Sequence, residues 1–338
     1  DSAGNVSDTS NTVSITVDLE DPDAPTGVDL KDDSDTGLSI SDDKTNDVTP
    51  EFTFSGVTST DSVFIVTTQD SNTDTVGSGL ASSTSIDMTT SDLSVVPISY
   101  NDGSITIKGY AMDIAGNTSD ISASASLIIT LDTSEPTAPT SVVLQSGSDS
   151  GISTTDRLTN DTTPTFTIEG VTSTDSVLLI IDGLTASSGI ASSTSIDLNI
   201  SSSMPPGSYT VSTQTIDVAG NISTATVSDT LLRIDTQAPS KPSAPDLQAS
   251  SDSGFLDTDN VTNITTPVFN LTGLSSTIDS LALFVDGISN TDSIMSQINS
   301  STLRLENALI HGVHNIAIVA IDSAGNVSDT SNTVSITV

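Results

Sequence analysis

One seven-residue phrase, Asp-x-Ala-Gly-Asn-x-Ser, occurs four times in this chain and constrains its fold more than any other feature. The copies span Asp1–Ser7, Asp113–Ser119, Asp217–Ser223 and Asp322–Ser328, at intervals of 112, 104 and 105 residues. Because about 100 residues is the size of a small domain, this period predicts a tandem array of similar modules. The first 17 residues are identical to the last 17, so we expect a piece of a longer array.

The repeat extends well beyond that phrase. Each module carries, in fixed order, an Asp, a Leu, an Asp within Ser-Asp-x-Gly, an Asn preceded by Thr, a Pro and a Phe. These residues are Asp18, Leu30, Asp35, Asn46, Pro50 and Phe52 in the first module, with counterparts beginning at Asp132 and Asp235 in the next two. The spacing predicts modules at 18–131, 132–234 and 235–338, preceded by residues 1–17 as the last strand of an earlier module.

The balance of charge excludes several partners. The net charge is −37 with only seven Lys and Arg residues, so nucleic acids and anionic lipids, which need basic contacts, are excluded. Of the 44 acidic residues 39 are Asp, a short carboxylate that serves turns and hard cations. The chain has no cysteine to staple its modules, and no apolar run long enough to insert into a membrane.

The apolar pattern is that of β-strands. Segments rich in Val, Ile, Phe, Ser and Thr alternate with Gly, Asn and Asp at intervals of about 8 to 12 residues. The predicted strands include 52–55, 63–66, 127–131, 166–168, 177–181, 209–216, 281–285, 316–321 and 334–338. About seven short strands per module predict an all-β chain of tandem immunoglobulin-like antiparallel β-sandwiches in an elongated rod.

This topology gathers recurring acidic residues where modules meet. In such a sandwich the first loop lies at the C-terminal pole, and the last loop at the N-terminal pole beside the preceding module. One junction should collect Asp35, Asp42, Asn46, Asp132, Asp175, Asp217 and Asn221. The next should collect Asp149, Asp156, Asn160, Asp235, Asp279, Asp322 and Asn326. The equivalent positions at the two ends are Asp18, Asp61, Asp113 and Asn117, and Asp252, Asp259 and Asn263.

Gathered carboxylates need a positive partner. Two carboxylates about 4 Å apart repel by about 1 kcal/mol even in water, and no Lys or Arg recurs in register to neutralise them. Ligands that are all oxygens favour Ca²⁺ over Zn²⁺ or copper, so we predict calcium as the cofactor at these residues. The alternative is that each Asp caps local main-chain N–H groups and each Gly-Asn forms a hairpin turn without a metal.

Several motifs also carry a resemblance that covers essentially the whole chain. They are Leu131-Asp132-Thr133 to Ala138-Pro139, Ser-Asp-Thr-Gly at 34–37, Thr-Asn-Asp followed by Thr-Pro, and the repeated phrase itself. In this order they resemble the bacterial immunoglobulin-like repeats of giant non-fimbrial adhesins exported by type I secretion. The resemblance implies a secreted stalk at the bacterial cell surface, stiffened by interdomain Ca²⁺, that projects an adhesive tip toward a host cell.

Other functions are less well supported by the residues. A lectin-like module that binds a ligand is the alternative, but three Tyr and no Trp offer little for sugar stacking. The two His, His311 and His314, have no counterparts in the other modules, which favours a packing or loop role. No nucleophile–base arrangement recurs, so we expect no enzyme. We expect a monomer whose partners are its own neighbouring repeats and, through the full-length protein, a host-cell surface or glycan receptor.

Overall fold

The computed structural model describes residues 1–95, 100–228, 231–274, 278–296 and 301–338, with the side chains of all of these except 279 and 290–296. The described residues form 25 strands and no helix. Two compact units divide the chain. The first comprises 1–136 and 216–222, and the second comprises 137–215 and 223–338.

The first unit contains one complete β-sandwich. Its strands are β1 (Gly27–Leu30), β2 (Lys44–Thr45), β3 (Glu51–Ser55), β4 (Ser62–Gln69), β5 (Asn72–Leu80), β6 (Ser85–Thr89), β7 (Gly103–Met112) and β8 (Ser126–Leu131). One sheet has the order β1-β3-β6 and the other the order β2-β8-β7-β4-β5. Phe52 and Phe54 alternate with polar residues along β3 and are fully buried between the sheets, as a half-buried strand requires.

The second sandwich lies in the second unit and repeats this plan. Its strands are β9 (Ser141–Leu144), β10 (Leu158–Thr159), β11 (Thr165–Glu169), β12 (Ser176–Ile181), β13 (Leu184–Ile190), β14 (Ser195–Asn199), β15 (Gly207–Tyr209), β16 (Val211–Ile216), β17 (Thr226–Val227) and β18 (Leu232–Ile234). The sheets have the orders β14-β11-β9, β13-β12-β16-β17 and β10-β18-β15.

The strand predicted at 209–216 is interrupted at Thr210. The Asp182 carboxylate accepts hydrogen bonds from the Thr210 main-chain N–H and hydroxyl, both at 2.7 Å. Asp182 is itself in the left-handed region at φ 49°. These bonds divert Thr210 from ladder pairing, so the strand divides into β15, which pairs with β18, and β16, which belongs to another sheet.

The third sandwich completes the second unit. Its strands are β19 (Asp246–Leu247), β20 (Val268–Asn270), β21 (Ile278–Val285), β22 (Ile288–Ser296), β23 (Thr302–Arg304), β24 (Val313–Asp322) and β25 (Val334–Thr337). The sheets have the orders β19-β20-β23 and β22-β21-β24-β25. Phe269 is fully buried in this core, at the position of Phe52 and Phe166 in the other two. The all-β fold of tandem immunoglobulin-like sandwiches is therefore confirmed.

A short parallel pairing sets the geometry at the end of each sandwich. β2 runs parallel to the last strand of its sandwich, β8, and β10 runs parallel to β18. In the third sandwich a single parallel bridge joins Val261 to Thr337. As a result, the loop after the first strand lies beside the residue that follows the last strand. In the first sandwich, the N–H of this residue, Asp132, donates to the Thr45 carbonyl at 2.9 Å.

The first 25 residues have a simpler structure. Asp1–Gly4 form a turn, and residues 5–25 contain neither strand nor helix. The interpretation of residues 1–17 as the last strand of a preceding module stays a prediction, because such a strand needs the remainder of its sandwich for pairing.

Candidate functional site: acidic turns and their cradles

The four copies of the repeated phrase form one kind of turn, here named the Asp-to-Asn turn: Asp1–Asn5, Asp113–Asn117, Asp217–Asn221 and Asp322–Asn326. In the third copy, Asp217 Oδ1 accepts bonds from the main-chain N–H groups of Ala219 and Asn221, both at 2.9 Å. Asp217 Oδ2 accepts from Asn221 Nδ2 at 2.9 Å, and Gly220 takes φ 98°. The motif thus needs a short carboxylate, a residue tolerant of positive φ and a side-chain amide.

In the last three turns the Asn also reaches the linker residue that sequence analysis assigned to the same site. Asn221 Nδ2 donates to the Asp132 carbonyl at 2.8 Å, and Asn326 Nδ2 to the Asp235 carbonyl at 2.8 Å. A third, longer hydrogen bond runs from Asn117 Nδ2 to the Asp18 carbonyl at 3.3 Å. The linker residues therefore contribute main-chain carbonyls to these contacts. Their carboxylates turn back on local N–H groups, at Glu20, Ser134 and Gln237.

Two of the turns are seated in a matching group of residues, here named a cradle. The first cradle, in the first unit, consists of Thr36, Gly37 and Asn46. Thr36 Oγ1 donates to the Ala219 carbonyl at 2.6 Å and accepts from the Asn46 N–H at 2.9 Å. Gly37 lies at φ 92°, where an added Cβ would be only 2.2 Å from the Val218 carbonyl oxygen. Glycine is required here by both its φ and this close approach.

The second cradle, in the second unit, consists of Ser150, Gly151 and Asn160. Ser150 Oγ donates to the Ala324 carbonyl at 2.5 Å, and the same carbonyl accepts from the Asn160 N–H at 3.1 Å. Gly151 takes φ 95°, and an added Cβ would be 2.0 Å from the Ser323 carbonyl oxygen. Both cradles hold their turns through a hydroxyl–carbonyl bond beside a left-handed glycine, and the second adds the bond from the Asn160 N–H.

Three aspartates that precede the cradle residues are buried: Asp35, Asp149 and Asp252. Oδ2 of each accepts a bond from the main-chain N–H eight residues later, at 3.2, 3.1 and 3.1 Å. The other oxygen, Oδ1, is buried in each and has no hydrogen-bond partner among the described residues. Burial raises the pKa of both Asp35 and Asp149, which leaves these carboxylates in need of a positive partner.

A second acidic residue stands near Asp35 and another near Asp149. The charges of Asp42 and Asp156 raise the pKa of Asp35 and Asp149 further, although less than burial does. Oδ1 of both residues, and of the equivalent Asp259, accepts from the main-chain N–H two residues on, at 3.1 to 3.4 Å. Asp42 also has an ion pair with Lys44 at 3.4 Å.

The aspartates of the second loop have different surroundings from one module to the next. Asp61 is buried with Oδ2 unpartnered, and burial, followed by the charge of Asp113, raises its pKa. Asp175 is also buried. The Asp113 carboxylate is held by Asn117, which lowers its pKa. The side chain of Asp279, on β21, lies outside the described residues.

The donor set limits which metal these positions can hold. Within the described ranges, no three Asp, Glu, His or Cys side chains converge as a ready metal site. What the structure provides is one or two carboxylates together with main-chain carbonyls and Asn, and such oxygen ligands suit Ca²⁺. In the second unit a cavity of ≈ 520 Å³ is lined by Asp235 and Asp322, but also by Arg233, which disfavours a cation there. The calcium sites therefore stay a prediction.

Sequence analysis selected the cradle residues Asn46 and Asn160 but missed the hydroxyl residues that bond to the seated turns. Thr36 and Ser150 are inconspicuous in a chain rich in Ser and Thr, but the fixed glycine of Ser-Asp-x-Gly was a usable signal. Each buried aspartate accepts a hydrogen bond from a residue with a left-handed φ of 57 to 60°. These three residues, Asp43, Arg157 and Asn260, are of different types, so no common sequence signal marks them. The third cradle, Ser253, Gly254 and Asn263, has the same residue types as the second.

His314, one of the two histidines, is held by hydrogen bonds within its own domain. His314 lies on β24 with its Nδ1 2.8 Å from Asp286 Oδ2 and its Nε2 2.9 Å from the Ile310 carbonyl. The Ile310 carbonyl, and then Asp286, raise its pKa.

Among the residues that the structure describes, no helix has the length and apolar character needed to span a membrane.

The chain is similar to several solved structures at low sequence identity. One is of fibronectin(III)-like modules of Clostridium thermocellum CbhA, at 14% identity over 59% of this chain and 94% of that one, TM-score 0.38. Others are the FN1–FN3 domains of chicken CNTN1, at 12% over 93% and 98%, TM-score 0.32, and a tetra-tandem repeat from the extending region of a large adhesion protein, at 18% over 95% and 75%, TM-score 0.24. A search of curated protein sequences found no match.

The sequence profile of one family matches nearly the whole chain. The bacterial Ig-like domain profile matches three consecutive segments, 23–133, 136–236 and 238–338. Each segment contains one of the three sandwiches, with its buried Phe, its Ser-Asp-x-Gly loop and its Asp-to-Asn turn. The chain therefore belongs to the bacterial Ig-like domain family and consists of three tandem copies of that domain.

Proposed function

We propose that this chain is a segment of the extracellular stalk of a bacterial surface adhesin, in which Ca²⁺ stiffens the connections between its domains. The observation that carries the proposal is the buried, unpartnered carboxylate oxygen that recurs at Asp35, Asp149 and Asp252. A buried carboxylate without a partner is costly, and its recurrence in every domain indicates a shared ligand.

The position of this oxygen supports a role at domain connections. Each buried Asp directly precedes a cradle residue, and the first two cradles hold an Asp-to-Asn turn through hydroxyl–carbonyl bonds of 2.6 and 2.5 Å. A cation bound beside a cradle would neutralise carboxylates and also hold the loop that grips the turn. Asp35 with Asp42, and Asp149 with Asp156, are the pairs that would hold it.

The chemistry of the chain suits a calcium-rich exterior. Extracellular modules bind Ca²⁺ with dissociation constants of about 10⁻⁴ to 10⁻³ M. At ten times that concentration of free Ca²⁺, each site would stabilise the folded form by about 1.4 kcal/mol. With a net charge of −37, the chain also gains from a counter-ion that reduces self-repulsion. Export by type I secretion, a role in virulence and the absence of enzymatic activity belong to the same proposal.

Small-angle X-ray scattering of the full chain in millimolar Ca²⁺ and in chelator tests stiffening directly. We expect a long, well-defined maximum dimension with Ca²⁺ and a broadened distribution of distances without it. The informative variant carries Asp35→Asn, Asp149→Asn and Asp252→Asn, and should give the chelator curve in both buffers. A matched control with Asp8→Asn, Asp120→Asn and Asp197→Asn, exposed residues with the same total change of charge, should respond as the wild type does. Identical wild-type curves in the two buffers would exclude calcium as the stiffener.

A further inference from the structure

The cavity in the second unit has a volume of ≈ 520 Å³. Its walls come from β10, from β18, from the chain that follows β18 as far as Ser240, and from residues 322–324 of the Asp-to-Asn turn in the second cradle. Protein pockets that hold small organic molecules have volumes of about 300 to 1,000 Å³. The cavity is therefore large enough for such a molecule, and the residues that line it decide which class of molecule fits.

Hydrogen bonds of the main chain fix the walls of this cavity. The Arg233 N–H donates to the Arg157 carbonyl at 2.8 Å, and the Asp235 N–H donates to the Thr159 carbonyl at 2.9 Å. The wall that the turn provides is held by the second cradle through the Ala324 carbonyl. Because the cavity is already formed, little conformational entropy opposes the binding of a ligand in it.

Arg233 lines the cavity from β18. Its neighbours Leu232 and Ile234 are buried, so the alternation of side chains along the strand directs Arg233 away from the core. Among the residues that the structure describes, none forms a hydrogen bond or an ion pair with its guanidinium group. The parallel strand pairing places Thr130 and Thr337 at the equivalent positions of the other two domains. The repeated fold therefore does not require an arginine here.

The two carboxylates that line the cavity differ in what already binds them. Both oxygens of Asp322 accept hydrogen bonds from Asn326. Asp235 Oδ1 accepts from the Gln237 N–H at 2.9 Å, whereas no described residue donates to Asp235 Oδ2. Within the described part of the chain, Arg233 and Asp235 form no ion pair with each other. The cavity thus offers a ligand one guanidinium group and one free carboxylate oxygen.

These groups favour a ligand that carries both signs of charge. A simple anion would be repelled by the two carboxylates and by the net charge of −37, and a simple cation would be repelled by Arg233. A molecule with a carboxylate and an ammonium group can pair with Arg233 and Asp235 together. Arg233 suits the carboxylate, because a guanidinium group binds it through two parallel hydrogen bonds. Leu158 and Pro239 add apolar surface for the hydrocarbon between the two charges.

We propose that this cavity binds a small free zwitterion of the amino-acid class, with its carboxylate on Arg233 and its ammonium group on Asp235 Oδ2. The site is specific to the C-terminal end of the second domain, because the other two domains have Thr at the position of Arg233. Ligand binding goes beyond the structural role proposed for the chain. It requires no metal, so it does not depend on the calcium proposal.

Nuclear magnetic resonance titration of the isotope-labelled full chain in calcium-free buffer tests the proposal. The probes are γ-aminobutyrate and ε-aminocaproate, two zwitterions that differ in the distance between their charges. The controls are butyrate and butylammonium at the same ionic strength. We expect saturable shifts of the Arg233, Asp235 and Ser323 amide signals with at least one zwitterion, and no comparable shifts with either control. Absence of saturable shifts with both zwitterions, or equal shifts with a singly charged control, would overturn the proposal.

Two substitutions that remove the same charge separate a specific site from general electrostatics. Arg233→Thr introduces the residue that the other two domains have at this position, so it should preserve the fold and weaken zwitterion binding by about tenfold or more. Arg304→Thr acts at the position of Thr89 in the first domain and should leave binding unchanged. Asp235→Asn, of nearly the same shape, should also weaken binding. Thermal unfolding checks that each variant is folded. Wild-type affinity in Arg233→Thr and Asp235→Asn, or equal weakening in Arg304→Thr, would show that the proposed site is wrong.

Discussion

The Asn221 side-chain amide donates to the Asp132 main-chain carbonyl, 2.8 Å away, and to Asp217 Oδ2 at 2.9 Å. One amide group therefore joins the linker to the carboxylate that organises its own turn. Asn326 makes the same two bonds, to the Asp235 carbonyl and to Asp322 Oδ2. In these contacts the Asn acts as a hydrogen-bond donor, and only its carbonyl oxygen remains to serve a cation.

Because Asn326 donates to both the linker and its own turn, its replacement by Asp should lower the stability of the third domain. Asn326→Asp replaces the donor with a carboxylate that faces Asp322, leaving the Asp235 carbonyl without its partner. We expect a loss of about 1 to 3 kcal/mol in the free energy of unfolding of the third domain, from the unsatisfied group alone. Asn5→Asp makes the same change in an exposed copy of the turn and should leave the calorimetric transition unmoved. Equal effects of the two variants would refute this role.

Adding a side chain at Gly151 should also lower stability, because the seated turn approaches this glycine closely. Gly151→Ala introduces a Cβ at φ 95° and 2.0 Å from the Ser323 carbonyl oxygen, so either the backbone is strained or the turn is displaced. We expect destabilisation of roughly 1 to 3 kcal/mol. Amide exchange at Asn160, whose N–H bonds to Ala324, should accelerate. Gly147→Ala, with open space around it, is the matched control, and unchanged exchange in Gly151→Ala would show that the turn is not held there.

The sequence was sufficient for those parts of the fold that depend on periodicity. The strand at Phe52–Phe54 and the turn at Asp217–Asn221 follow from alternation and from turn chemistry, both local properties. The interruption at Thr210 could not be predicted, because the carboxylate that causes it belongs to Asp182, 28 residues away. Local patterns do not report such long-range bonds.

For the candidate site, the sequence indicated which residues recur but not how each one is used. It did not indicate that Asp132 would contribute a carbonyl, and it left open whether the Asp217 carboxylate would bind a cation or accept hydrogen bonds from its own turn. Nor could the left-handed conformation at Arg157 be predicted, since Arg has no preference for it. The recurrence of an unpartnered oxygen depends on burial, which only the packed structure reveals.

His314 predicts a pH dependence confined to the third domain. Both of its ring nitrogens face acceptors, the Ile310 carbonyl and Asp286, so the doubly protonated ring is favoured and its pKa is raised. A raised pKa in the folded state stabilises the fold fully below the unfolded value of about 6.5. That contribution is lost as pH rises through the folded pKa. The thermal midpoint of the third domain should therefore fall across this range in calorimetry.

Two variants distinguish this histidine from the general effect of pH. His314→Asn should abolish the decline across that range, because it has no titrating ring. His311→Gln, three residues away, should preserve it. The pKa of Asp286 is lowered, first by the Asn315 N–H and then by His314, so its contribution is present above the unfolded carboxyl pKa and is lost in acid. A decline that persisted in His314→Asn would assign the pH dependence to other groups.

Asp149→Asn should have opposite effects with and without calcium. In chelator, the buried carboxylate has a raised pKa and destabilises the fold once ionised, so the neutral amide should leave the Tm of the second domain unchanged or higher. In millimolar Ca²⁺, the wild type should gain about 1.4 kcal/mol per site at ten times the dissociation constant, and the variant should lose that gain. Asp197→Asn, an exposed change of equal charge in the same domain, should retain it. A full calcium response in Asp149→Asn would exclude this carboxylate as a ligand.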